Sequence, residues 1–254
     1  MTAKEKERPF VRRAPFGDEV WITGCVGDAE QVRNYARKIP DDCDLLELRL
    51  DLLKGMEDAE AVEMCRAITR QGLPVLLTLR IQSEGGGWAG TAAQRRARLL
   101  PFLPAVAGID VEGLSDGAVE WMDELAKWPV ARVLSYHNFD RWLREETQEK
   151  IYAQAVALRP TLLKVAAVLE TFWDVDMARR FVKKAPVPMA FQGMGPLGIA
   201  CRVPYTHSGS RCVYGALGAE LVPGQPDCHW LAKMLGRLGD IPRRSKKSWH
   251  EIMG

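Results

Sequence analysis

A regular series of eight short, β-rich apolar runs constrains the fold of this chain more than any other feature. They cover residues 20–25, 45–50, 74–80, 106–111, 131–136, 162–168, 187–191 and 212–216. Their spacing of about 25 to 32 residues is that of a strand, a loop and a helix. Amphipathic helical patterns lie between several of them, at residues 57–70, 92–103, 145–158 and 172–184. The series predicts an α/β protein of the (β/α)8 barrel type.

The boundaries of this barrel follow from the first and last runs. We expect a single domain over residues 19–240, with a short N-terminal extension over residues 1–18 and a basic C-terminal tail over residues 241–254. An open, doubly wound sheet is the alternative architecture. It is the weaker prediction because no Gly-x-Gly-x-x-Gly motif follows an early strand.

Composition excludes several classes of partner. A net charge of +2 over 254 residues gives no reason to expect binding to nucleic acid or to an anionic membrane. The six cysteines form no Cys-x-x-Cys pair, which favours free thiols in a reducing compartment over a disulfide framework or a metal site. No apolar stretch is long enough to span a membrane, and we therefore expect a cytoplasmic protein.

Lys164 lies inside the apolar run of residues 162–168. Burial disfavours the charged ammonium, so we expect a lowered pKa for this lysine. A partly neutral lysine is a nucleophile that forms a Schiff base with a carbonyl group. The alternative is a lysine at a strand end whose ammonium group reaches water, and this segment alone favours that alternative.

Further polar side chains follow the predicted strands, where a barrel carries its chemistry. In the second strand Glu47, Arg49 and Asp51 alternate with leucines, which predicts one charged face directed into the barrel. The others are Arg80, Glu84, His137, Arg202 and Gln225. Purely structural roles are the alternative. The charges of the second strand could form an ion-pair layer, His137 could be a core histidine, and Arg80 and Arg202 could form salt bridges. Their convergence at one end of successive strands nevertheless favours a site.

Taken in order, the motifs resemble those of type I 3-dehydroquinate dehydratases over roughly residues 19–230. They are Glu47-Leu48-Arg49-Leu50-Asp51, Thr78-Leu79-Arg80 with Glu84, Ser135-Tyr136-His137-Asn138-Phe139, Leu163-Lys164-Val165-Ala166, Met194-Gly195 through Arg202, and Pro223-Gly224-Gln225. The resemblance implies a (β/α)8 lyase of the shikimate pathway. Such an enzyme converts 3-dehydroquinate to 3-dehydroshikimate through a lysine Schiff base, without a metal or organic cofactor.

The resemblance also implies a role for each matching residue. Lys164 would form the imine, His137 would act as general acid and base, and Glu84 would orient that histidine. Glu47, Arg49 and Arg80 would surround the substrate hydroxyls, while Arg202 and Gln225 would bind the carboxylate end. The segment over residues 195–206 would close over the site. The only partner implied is the small-molecule substrate, and a homodimer is the assembly considered.

Three positions depart from the family pattern. Leu221 stands where the family often has a substrate-binding serine, and Pro196-Leu197 replaces basic and small residues of the closing loop. Two other functions stay open at this point. One is a different Schiff-base barrel, such as a class I aldolase. The other is a non-catalytic sensor that binds a pathway intermediate.

Overall fold

A computed structural model describes residues 19–222 and 224–238 of the chain. The predicted N-terminal extension, Pro223 and the basic tail lie outside the described residues. The strands are β1 (Trp21–Val26), β2 (Leu45–Arg49), β3 (Val75–Thr78), β4 (Gly108–Glu112), β5 (Ala131–Asn138), β6 (Leu162–Val168), β7 (Met189–Met194) and β8 (Cys212–Ala216). The helices are α1 (Ala29–Arg37), α2 (Asp58–Arg70), α3 (Ala92–Leu99), α4 (Ala118–Leu125), α5 (Glu145–Leu158), α6 (Phe172–Lys184), α7 (Gly198–Arg202) and α8 (Cys228–Leu238).

The eight strands form one parallel sheet that curls into a nearly closed barrel. Their hydrogen-bonded order is β7-β6-β5-β4-β3-β2-β1-β8, so β1 pairs with both β2 and β8. At the seam between β7 and β8, Met189 and Ser210 form an isolated parallel bridge. The Arg211 backbone N–H also donates to the carbonyl oxygen of Met189 at 2.7 Å. The predicted (β/α)8 barrel is therefore confirmed.

Side chains along each strand point alternately outward and inward, and this divides the apolar residues into two clusters. The larger cluster contains the outward-facing strand residues, such as Leu46 and Leu48, together with residues of the surrounding helices. The smaller cluster is formed by strand residues only, including Leu45, Leu76 and Tyr214, and it fills the barrel interior. Because side chains alternate between the two faces, β2 places Glu47 on the interior side with Leu45.

Several boundaries differ from the predicted ones. The helix expected over residues 92–103 ends at Leu99, and a 3-10 helix follows at Leu100–Ala105, where two prolines lack the N–H that an α-helix needs. Strands β5 and β7 extend further toward their carboxyl ends than predicted, to Asn138 and Met194. As a result His137 and Gln192 lie on strands rather than in loops.

Within the described part of the chain, no helix combines the length and the apolar character needed to cross a membrane.

Candidate active site

A cavity of about 210 Å³ opens at the carboxyl ends of the barrel strands. All eight side chains that the sequence predicts as site residues line it: Glu47, Arg49, Arg80, Glu84, His137, Lys164, Arg202 and Gln225. The remaining wall includes apolar side chains such as Phe139, Met194 and Leu221. The predicted convergence at one end of the barrel is thus observed.

Lys164 projects from β6 into the base of this cavity and is only 5 % exposed. Its Nζ lies 2.8 Å from Glu47 Oε1 and 3.3 Å from Asp110 Oδ2. The alternative of a lysine that reaches water is therefore wrong. Burial brings the amine group to the barrel interior, where its neighbours rather than solvent determine its charge.

The expected direction of the Lys164 pKa is also wrong. Burial alone lowers this pKa, but the carboxylates of Glu47 and Asp110 more than offset it, and the pKa is raised above its ordinary value. Burial likewise works to raise the pKa of Glu47, whereas Lys164 and the nearby arginines lower it below its usual range. The resting state is thus an ammonium held between two carboxylates.

Asp110 links Lys164 to a chain of buried charges on β4. Arg80 Nη1 lies 3.0 Å from Asp110 Oδ1 and 2.7 Å from Glu112 Oε1. Glu112 is also paired with Arg95, from α3. Each of these charges has a partner, which is the condition under which buried charges are tolerated. Arg80, predicted as a substrate-binding residue, is thus already engaged by two carboxylates.

His137 and Glu84 form a second pair at the rim of the cavity. Nδ1 of His137 lies 2.8 Å from Glu84 Oε2. Burial lowers the pKa of His137 well below its ordinary value, with Arg80 and Lys164 adding to the effect. Burial also raises the pKa of Glu84 to about 8. Both groups are therefore neutral at pH 7, and one hydrogen bond joins Nδ1 of His137 to Oε2 of Glu84.

The loop after β3 brings Glu84 to this position. Residues Gln82–Glu84 form one 3-10 turn that ends at Gly85, where the backbone has a positive φ of 77°. This left-handed conformation favours glycine. Gly86 follows, and a Cβ atom there would lie 2.0 Å from the carbonyl oxygen of Arg80. Two adjacent glycines therefore let the loop fold back over the end of β3.

Arg202 ends the short helix α7 and spans the seam of the barrel. Its Nε donates to the carbonyl oxygen of Gly193 on β7 at 3.2 Å, and its Nη1 donates to that of Tyr214 on β8 at 2.6 Å. Burial lowers the pKa of Arg202 to about 10, so it is charged at pH 7. Among the described residues it pairs with no carboxylate. A buried cation in this state favours an anionic ligand.

The other predicted residues are held by their neighbours. Arg49 forms a bidentate ion pair with Asp51, at 3.0 and 2.8 Å. Asp51 also accepts hydrogen bonds from the backbone N–H groups of Arg80 and Gly87 and does not line the cavity, so it supports the site from outside. Gln225 Oε1 accepts a hydrogen bond from the backbone N–H of Leu221 at 3.2 Å.

Three side chains of the site were not predicted from the sequence. Asp110 contacts Lys164 directly, Gln192 lines the cavity, and the ring of Tyr214 lies over the lysine. A signal for Asp110 was present: Asp110 and Glu112 alternate with Ile109 and Val111, as the charges of the second strand alternate with leucines. Within the described residues, no group of His, Cys, Asp and Glu side chains is arranged to hold a metal ion.

These features define a class of protein: a (β/α)8 barrel with a lysine-centred, charge-paired cavity at the carboxyl ends of its strands. The family model for type I 3-dehydroquinase matches residues 23–242. The chain belongs to the type I 3-dehydroquinase family.

Individual relatives agree with this assignment. The 3-dehydroquinate dehydratase of Methanosarcina barkeri is 33% identical over 209 residues, covering 77% of this chain and 85% of that protein. The 3-dehydroquinate dehydratase of Methanococcoides burtonii is 29% identical over 188 residues, with coverage of 72% and 79%. The crystal structure of the enzyme from Geobacillus kaustophilus superimposes with a TM-score of 0.78 at 23% identity, covering 87% of this chain and 91% of that one, which supports the same fold.

The raised pKa of Glu84 predicts a pH-dependent free energy of unfolding. The folded chain holds this proton up to about pH 8, whereas the ordinary value is 4.5. Unfolding between these values releases a proton, so the contribution of Glu84 to stability falls as the pH rises through this window. We expect Glu84→Gln, which cannot ionise, to gain melting temperature relative to the parent chain between pH 5 and pH 8, as measured by thermal denaturation.

Glu149→Gln makes the same substitution on the exposed surface of α5 and is the matched control. A melting-temperature difference between Glu84→Gln and the parent that does not change with pH would contradict the buried, protonated state of Glu84.

Proposed function

We propose that this protein converts 3-dehydroquinate to 3-dehydroshikimate and water through a Schiff base on Lys164. One observation carries the proposal: a single cavity holds the lysine amine, the His137–Glu84 pair and the guanidinium group of Arg202. A nucleophile, an acid–base group and an anion-binding cation are what the dehydration of a keto acid requires. The lysine itself provides the electron sink, so the reaction needs no metal or organic cofactor.

The first step must remove a proton from the Lys164 ammonium group. Glu47 is the nearest acceptor, at 2.8 Å from Nζ. The neutral amine then adds to the ketone carbon, and loss of the carbonyl oxygen as water leaves a protonated imine. The two carboxylates that raise the pKa of the lysine also favour the positive charge of this iminium.

His137 is the residue that we propose for proton transfer. Because its pKa is lowered, the imidazole is neutral at pH 7 and can accept a proton from the carbon next to the iminium. The protonated imidazole then donates to the departing hydroxyl group, which leaves as water. Glu84 holds the ring through Nδ1 and so leaves Nε2 for this exchange. Hydrolysis of the product imine regenerates Lys164.

Arg202 is the group that we propose for the substrate carboxylate. Its charge has no acidic partner among the described residues, and two of its nitrogens are fixed by backbone carbonyls. A fixed guanidinium group presents its remaining donors in one direction, which suits carboxylate recognition. Gln225 lies on the same wall, while Glu47, Arg49 and Arg80 provide polar groups for the ring hydroxyls.

A non-catalytic sensor is the second candidate, because one wall of the cavity lacks an expected polar group. Leu221 lines the cavity at the position where the family pattern often has serine, and it cannot form a hydrogen bond with a ligand through its side chain. A different class I Schiff-base barrel would share Lys164 but would not require the His137–Glu84 pair.

We also propose a cytoplasmic location and a homodimeric assembly, with no nucleic acid partner. All six cysteines are free and buried, which suits a reducing compartment. The balanced charge of +2 does not favour binding to nucleic acid. Phe172 and Trp173, at the start of α6, are exposed, and large exposed apolar side chains of this kind are suited to an interface between subunits.

The proposed function predicts turnover of 3-dehydroquinate by the parent chain, detected as the ultraviolet absorbance of the conjugated product. Lys164→Ala should abolish turnover because no other lysine of the described residues lines the cavity. His137→Ala should reduce the rate by about 10² to 10⁴, the usual effect of losing a general acid–base group. Lys183→Ala, on exposed α6, is the matched control. Absence of turnover together with measurable binding of 3-dehydroquinate would favour the sensor instead.

Leu221 generates a separate prediction about substrate affinity. Leu221→Ser introduces one hydroxyl group into the cavity wall, and one neutral hydrogen bond contributes on the order of 1 kcal/mol. We expect kcat/KM to rise several-fold. Leu221→Ala removes the same apolar bulk without adding a hydroxyl group and should give no such gain. Equal kinetics for the serine and alanine variants would show that Arg202 and Gln225 bind the carboxylate without help from this position.

A further inference from the structure

We propose that the aromatic ring of Tyr214 is a catalytic group that stabilises the positive charge on Lys164 Nζ, first in the ammonium and then in the iminium. This inference rests on the proposed function and adds a residue to its machinery. Lys164 Nζ lies over the ring, 4.0 Å from its centroid. Tyr214 therefore contacts the atom that becomes the imine nitrogen.

The position of the ring makes this contact stronger than one on a protein surface. Tyr214 is only 3 % exposed, and Lys164 is similarly buried. A cation over the face of an aromatic ring is attracted by the ring quadrupole, and removal of water strengthens the attraction. Glu47 and Asp110 approach Nζ as well. The nitrogen thus has two carboxylates and one aromatic face around it.

The backbone of Tyr214 is fixed by the two side chains that bridge the barrel seam. Its N–H donates to Gln192 Oε1 at 3.1 Å, and its carbonyl oxygen accepts from Arg202 Nη1 at 2.6 Å. The phenolic hydroxyl group, in contrast, forms no hydrogen bond to any residue in the described part of the chain. The ring is therefore positioned by the backbone and by packing, and its aromatic face rather than its hydroxyl group meets the lysine.

The chemical step explains why such a group is needed. The neutral amine forms a bond to the ketone carbon, and the carbinolamine takes up one proton and expels water, which leaves a C=N bond with the positive charge on nitrogen. This charge draws electrons from the adjacent C–H bond when the proton leaves. A ring face placed against the nitrogen stabilises the charge without accepting the proton, whereas a carboxylate could take it.

Variants at position 214 separate the ring from the hydroxyl group. Tyr214→Phe keeps the ring, and we expect its kcat and its iminium fraction to lie within about threefold of the parent. Tyr214→Leu and Tyr214→Met fill the space without an aromatic face, and kcat should fall roughly 10- to 30-fold. The iminium fraction is measured by borohydride reduction at saturating 3-dehydroquinate, followed by intact-protein mass analysis, and it should fall as well.

A second measurement needs no substrate. The pH dependence of Lys164 labelling by an amine-acylating reagent reports its protonation directly. The rate is measured at one fixed pH below the pKa of Lys164. We expect Lys164 to be labelled about 10- to 30-fold faster in the leucine and methionine variants, which lack the ring. Tyr214→Phe should leave this labelling rate unchanged. Leu45→Ala is the control: it disrupts the same interior apolar cluster but does not line the cavity.

Two results would overturn the inference. One is a folded leucine or methionine variant with parental labelling, kcat and iminium fraction. The other is a phenylalanine variant as impaired as these two, which would assign the effect to the hydroxyl group. If the parent forms no adduct with 3-dehydroquinate, the proposed function fails, while the labelling experiment still tests the role of the ring.

Discussion

The site depends on the ion pairs that surround Lys164 inside the barrel. A buried ammonium is expensive to desolvate, and here Glu47 and Asp110 compensate for that cost. These two carboxylates would repel each other without the lysine between them, and Asp110 is also paired with Arg80. The charges therefore stabilise one another as a set. Replacing the ammonium by an iminium keeps the charge on nitrogen and leaves the set balanced, so the fold is already adapted to the proposed intermediate.

The barrel seam shows that the residues of the site also complete the fold. Strands β7 and β8 lie at the two ends of the hydrogen-bonded order. Gln192 bridges them by donating to the Cys212 carbonyl oxygen and accepting from the Tyr214 N–H, and Arg202 bridges them through two backbone carbonyls. A ligand carboxylate at Arg202 would therefore act on the same side chain that fixes Tyr214. If Arg202 binds the substrate carboxylate as proposed, one guanidinium group links substrate binding to closure of the barrel.

Particular residues show what the sequence could predict. The regular spacing of the apolar runs located all eight strands. The alternation of charged residues and leucines in the second run placed Glu47 and Arg49 inside the barrel and Leu46 and Leu48 outside it. The predicted run of residues 106–111 contains Asp110 but stops before Glu112, whereas β4 extends to Glu112. The alternation of these two acids along one strand was therefore not recognised. The direction of the Lys164 pKa could not be predicted locally, since Glu47 lies 117 residues away in sequence. Burial alone indicates a lowered pKa, and only the fold reveals the two carboxylates that reverse it.

The proposed mechanism requires the Lys164 amine to form a covalent imine with the substrate. Mass mapping of peptides after borohydride reduction in the presence of 3-dehydroquinate tests it most directly. We expect one stoichiometric adduct, located on the peptide that contains Lys164. An adduct on a different lysine, or turnover without any reducible intermediate, would contradict it.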